Sequence, residues 1–159
     1  MTKEALQGYT ARITQASKSE LIVIIYELII SNTKEAIEAY NSNDLATFDK
    51  ELKQAQIFLR ELMVALDYSY QLSFDLLSLY IFVNKQFIGA IIKKKPDTLK
   101  SAISILEKLL VGFEGVSRED TSGSMMHNTQ QLYAGLTYGK GTLNETYIDP
   151  EDRNRGFII

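Results

Sequence analysis

The sequence predicts an all-α protein: an antiparallel up-down four-helix bundle with a short N-terminal cap segment and an irregular C-terminal extension. Three observations predict it. Residues 17–114 hold only Gly89, Gly112 and Pro96, whereas six of the nine glycines and Pro150 fall in residues 115–159. Within the first stretch, apolar residues recur at steps of three and four, the spacing of one helical face. Turn and capping residues divide it into four pieces of similar length, and short connections between such pieces favour antiparallel neighbours. The organisation that follows is a cap segment at 1–16, a bundle at 17–114 and a tail at 115–159.

The first bundle helix begins at Ser17. Ser17-Lys18-Ser19-Glu20 is a capping box, in which the serine oxygen accepts from the Glu20 amide and the Glu20 carboxylate reaches back. The helix runs to about Tyr40 and stops in the turn-forming Asn41-Ser42-Asn43. Asp44 caps the second helix, whose stripe is Leu45, Phe48, Leu52, Ala55, Leu59, Leu62, Met63 and Leu66. The third starts between Ser69 and Ser73 and continues to Lys95, ending on Lys93-Lys94-Lys95, where cations suit the negative end of the helix dipole. Pro96 stops it and opens the fourth as a first-turn proline. That helix runs through Leu99, Ile103, Leu106, Leu109 and Leu110 to Phe113.

Two helices carry more apolar surface than a bundle core consumes. In the first, Leu21, Ile24, Ile25 and Leu28 suffice for a core stripe, which leaves Ile22, Tyr26 and Ile29 on an adjacent face. In the third, Leu76, Leu77, Tyr80, Ile81, Phe87, Ile88 and Ile91 cover a broad arc, while Leu79, Phe82 and Val83 point elsewhere. Either these helices touch neighbours on two sides, or part of the surplus is a groove for an amphipathic partner helix. Near the N-terminus, Leu6, Tyr9 and Ile13 stand at steps of three and four. They define a short amphipathic segment able to lie over such a groove, or a frayed terminus.

The order of several motifs resembles the flagellar secretion chaperone FliS family. Ala16-Ser17-Lys18-Ser19-Glu20-Leu21-Ile22-Val23-Ile24-Ile25-Tyr26-Glu27 is similar to that family's T-A-S-P-E-E-L-I-x-M-L-Y-D opening. Lys53-Gln54-Ala55-Gln56-Ile57 through Leu66-Asp67 resembles its K-A-Q-x-I-I-x-E-L-x-x-x-L-D helix. Leu76-Leu77-Ser78-Leu79-Tyr80 looks like its L-x-x-L-Y, and Lys94-Lys95-Pro96-Asp97 like its K-K-D-P-E. The match covers about residues 9 to 113. Lys18 stands where the family usually has proline, and the tail after Gly115 lies beyond the matched region. The resemblance implies a chaperone of the bacterial cytosol that binds the C-terminal segment of flagellin, prevents premature polymerisation and assists delivery to the export apparatus. On that reading Ile22, Tyr26, Ile29, Leu79, Tyr80 and Val83 are the partner-binding residues, and Leu6, Tyr9 and Ile13 form the N-terminal cap.

Composition and motifs narrow the alternatives. A net charge of -3 leaves no excess of Lys and Arg to neutralise nucleic-acid phosphates. There is no cysteine for a disulfide or thiolate site, and one histidine, His127. The Glu-x-x-His pairs of a di-iron bundle are missing, so neither a metal nor another cofactor is expected. The longest apolar run, 21–30, is broken by Glu27 and too short to span a bilayer. The glycine-rich Ala134-Gly135-Leu136-Thr137-Tyr138-Gly139-Lys140-Gly141-Thr142 suggests a nucleotide-binding enzyme. A phosphate loop, however, needs four residues between its glycines and a hydroxyl after the lysine; here three residues separate Gly135 from Gly139, and Gly141 follows Lys140. Residues 128–136 have the pattern of about two helical turns. The expectation is therefore not an enzyme, with a structural adaptor bundle holding a folded partner as the alternative, and a monomer or homodimer as the state.

Overall fold

The computed structural model describes residues 1–121 and 123. The 128–136 pattern, His127 and the glycine-rich stretch at 134–142 lie outside the described residues. The described chain forms five helices: α1 Lys3–Gln15, α2 Lys18–Asn41, α3 Leu45–Ala65, α4 Gln71–Lys93 and α5 Leu99–Glu119.

The expected caps form. Ser17 Oγ accepts from the Glu20 amide at 3.3 Å, and the Glu20 carboxylate accepts from the Ser17 amide at 3.2 Å. Asp44 caps α3 by accepting from the Thr47 amide at 3.0 Å and its hydroxyl at 2.6 Å. Asn43, at φ 58, makes the left-handed step between the two helices, a conformation asparagine tolerates better than most residues. Beyond α3, Asp67 organises the turn by accepting from the Ser69 amide at 3.0 Å, while its own carbonyl accepts from the Ser73 hydroxyl.

Two boundaries differ from expectation at the α4–α5 junction. Helix α4 stops at Lys93 because Lys94 takes a left-handed conformation, φ 55, and its amide bonds back to the Ala90 carbonyl. Pro96 is not the first turn of α5. Its carbonyl accepts from the Leu99 amide in the preceding turn, and the helix starts at Leu99. At the other end α5 runs through Gly112 and Gly115 to Glu119, past the expected stop at Phe113. The Ser19 hydroxyl donates to the Asp120 carboxylate, fastening that end to the start of α2.

The four long helices close a ring in which α2 touches α3 and α5, and α4 touches the same two. Helices α2 and α4 are thus diagonal. Cross-links fix the antiparallel sense. Ser19 meets Asp120 and Lys34 meets Glu107 between α2 and α5, while Asp49 meets Lys94 and Gln56 meets Asn84 between α3 and α4. The N-terminal segment is a full helix that doubles back along α2 alone.

Lysine at a left-handed helix end is strained by its Cβ, where glycine is not. Lys94→Gly is expected to raise stability by about 1 kcal/mol, seen as a higher urea midpoint at unchanged m value. A lower midpoint would show that the exposed Lys94–Asp49 pair, at 3.4 Å, outweighs the relief.

Candidate functional site

Helix α2 is enclosed on nearly every side. Val23, Ile24, Ile25 and Tyr26 are buried in succession, as are Leu28, Ile29 and Ile30. No single stripe can do this; α3, α5 and α1 each cover a different side. Helix α4 is the opposite case. It buries only Ser73, Leu76, Tyr80, Val83, Phe87 and Ala90, a stripe with steps of three and four. Its outer face stays apolar: Leu72 is 65% exposed, Ile92 74%, and Phe74, Leu79, Phe82 and Ile88 are also open to solvent. By length and composition α4 is the one described helix apolar enough to cross a membrane, although its inner stripe is packed into the bundle. Exposed apolar residues gathered on one helix of a closed bundle mark a candidate docking surface.

The structure redistributes the six expected contact residues. Tyr26, Ile29, Tyr80 and Val83 are core residues with at most 1% exposure. They cannot meet a partner while the bundle is closed, because they fill the interior where α2 faces α4 across the diagonal. Ile22 is half-buried and packed on the core. Leu79 alone lies on the open face of α4. The surplus in α2 is therefore consumed by its extra neighbours, and the surplus in α4 is displayed. Phe74, Phe82 and Ile88 are not among the six expected contact residues. The signal was the apolar character of α4 at positions all round the helix, which one core stripe cannot absorb.

The cap residues share one face of α1. Ile13 is fully buried, Tyr9 packs against the core and Leu6 is half-buried. Ion pairs hold both ends: Arg12 grips the Glu27 carboxylate at 2.5 Å, and the N-terminal ammonium meets Glu35 at 2.6 Å. Arg12 also stands 5.7 Å from the centre of the Tyr9 ring. The Glu27 hydrogen bond raises the Arg12 pKa, and burial foremost, then the Glu27 charge, raises that of Tyr9. This helix covers α2 and leaves α4 open.

A polar tie crosses the diagonal of the bundle. The Tyr26 and Tyr80 hydroxyls are 2.5 Å apart, and the Tyr26 ring stacks on Phe113 with centroids 5.3 Å apart. Burial pushes both hydroxyls above the ordinary tyrosine value, so the link is a neutral hydrogen bond. It lets α4 sit across from α2 at one register. Asn32 donates to Glu51 at 2.5 Å between α2 and α3, a second buried polar contact.

These features define a closed helical bundle that presents one largely uncovered apolar helix. Among the described residues no three of His, Cys, Asp and Glu gather as metal ligands would. The family model described as flagellar protein FliS matches residues 1–120, and the chain belongs to that family. The matched stretch contains all five helices. Membership makes flagellar export chaperone the class of function, in a family of chaperones rather than enzymes. Comparison with curated proteins returns no match.

The tyrosine pair gives a sign test. Tyr26→Phe or Tyr80→Phe alone strands a buried hydroxyl and costs about 1–3 kcal/mol, whereas the double change comes close to the parent. Above pH 10, the ordinary value, the unfolded tyrosines ionise and the folded ones do not. Stability therefore falls as pH rises past that point, and the double variant has a shallower fall. Urea melts in a double-mutant cycle check both; additive single losses would remove the pairwise account.

Proposed function

We propose that this chain is a cytoplasmic flagellar export chaperone whose client is the C-terminal segment of flagellin. The observation that carries the reading is the open apolar face of α4 on a bundle otherwise closed. A client segment that is disordered when free gains helicity as it covers that face, and the apolar area buried offsets the cost of ordering it. A bound client cannot use the same residues to polymerise, which keeps it in a state fit for delivery to the export apparatus.

The contact residues follow from exposure. Leu79 and Phe82 are 37% and 41% exposed near the middle of α4, so charging them leaves the core intact. Leu79→Glu with Phe82→Glu is expected to weaken binding of a C-terminal flagellin peptide by more than about tenfold, roughly 1.4 kcal/mol. Calorimetry measures the affinity and circular dichroism the gain in helix. No heat and no helicity change with a cognate peptide would sink the chaperone reading. Retention of a folded partner instead would favour the adaptor.

The cap reading concerns α2. If the client also takes the side of α2 beneath α1, loosening α1 raises affinity, because a covered site binds in proportion to its open fraction. Arg12→Glu turns the Glu27 pair into a repulsion and is then expected to tighten peptide binding severalfold. Unchanged affinity would confine the client to α4.

A further inference from the structure

The outer face of α4 carries a seam that the five helices leave unmatched. Phe74, Ser78, Ile81, Lys85, Ile88 and Ile92 follow one another at steps of four and three, and all six are exposed. That alternation is the heptad spacing by which one helix packs along another. Four of the six positions are apolar, two in each half of the helix, and Phe82 adjoins them. Ser78 is small, and Lys85 lays its aliphatic stem along the seam with its ammonium in water.

The charges beside the seam indicate which helix fits it. Asp75 and Lys93 are eighteen residues apart, five full turns, so they flank the seam on the same side. Both are exposed, and among the described residues neither enters an ion pair. The midpoint of the seam is level with Val83. A second α4, antiparallel about a two-fold axis at that level, sets Phe74 against Ile92, Ser78 against Ile88 and Ile81 against Lys85. It also brings Asp75 of each copy within reach of Lys93 of the other, which makes two opposite-charge pairs. A parallel copy would instead gather both aspartates at one end and both lysines at the other, about 27 Å away. A face complementary to itself reversed has the property that a two-fold interface requires.

We propose that the free protein forms an antiparallel two-fold dimer through the outer face of α4. The exposed parts of the seam and Phe82 amount to about 500 Å² per copy, so pairing buries about 1,000 Å², the low end for a specific interface. Obligate dimers bury about 2,000 Å² or more, so this dimer exchanges with monomer. It covers the residues that the proposed function gives to the client. The free chaperone therefore keeps them from its surroundings until a client takes the place of the second copy; that consequence alone rests on the client reading.

Sedimentation of the full-length chain over a hundredfold range of concentration is expected to show reversible dimerisation. Ile81→Glu with Ile88→Glu weakens it at least tenfold, and helix content by circular dichroism is unchanged because both side chains are exposed. Asp75→Lys alone and Lys93→Glu alone each weaken it at least threefold. An equimolar mixture of those two variants returns to the parent value, because every mixed dimer regains both opposite-charge pairs. Orientation is read by disulfide formation, since the chain has no cysteine of its own. Under mild oxidation Phe74→Cys mixed with Ile92→Cys links two chains at least fivefold faster than either variant alone. A monomer at every concentration, a dimer indifferent to the two glutamates, or equal disulfide rates for mixed and single variants would each overturn the proposal. The C-terminal flagellin peptide is expected to dissociate the dimer, and a peptide that binds with the dimer intact would place the client elsewhere than α4. If no peptide binds, the client assignment fails while sedimentation still decides the dimer.

Discussion

The structure depends on an unequal sharing of burial between two diagonal helices. Four helices in a ring give each member two neighbours, enough to cover a stripe and its flanks. Helix α2 has a third neighbour in α1, and it is apolar at consecutive positions from Leu21 to Tyr26 because every side is covered. Helix α4 has only α3 and α5, yet its sequence is just as apolar. The excess has nowhere to go within the bundle. The open surface thus follows from how many neighbours each helix has.

Holding such a helix in place needs more than non-directional apolar contact. A stripe of leucine, valine and phenylalanine alone leaves rotation and sliding of α4 weakly specified, since another apolar face is always available to replace the first. Directional contacts remove that freedom. The Tyr26–Tyr80 hydroxyl pair selects which face of α4 turns inward, and Gln56 donating to Asn84 at 2.9 Å fixes its height against α3. Thr98 donating to the Gln86 carbonyl at 3.0 Å ties the following turn to the helix. Each bond contributes modestly to stability, but slipping out of register would bury the groups unpaired.

Much of the fold was legible in local chemistry. Ser17 with Glu20 and Asp44 with Thr47 announce helix starts through short-range hydrogen bonds, and these bonds form. The junction after α4 was less legible, because a lysine in a left-handed helix end carries no compositional mark; glycine would have. Residues 1–15 showed a stripe able to lie over an apolar groove or to fray, and the Arg12–Glu27 and ammonium–Glu35 pairs, with Ile13 buried, place it on α2. The surface was half visible. The apolar surplus of two helices could be counted, but whether Tyr26 and Tyr80 faced in or out depended on partners distant in sequence. Their hydroxyls satisfy each other in the interior.

The apolarity of α4 also has a consequence during synthesis. The ribosome releases α4 before α5, and making residues 94–119 takes on the order of seconds. In that interval α4 has α3 on one side and nothing on the other, and it meets the length and composition of a bilayer-crossing segment. The lysines at 93–95 and the polar turn around Asp67 set its limits until α5 arrives to enclose the inner stripe. Until α5 packs against it, the inner stripe of α4 is as exposed as its outer face.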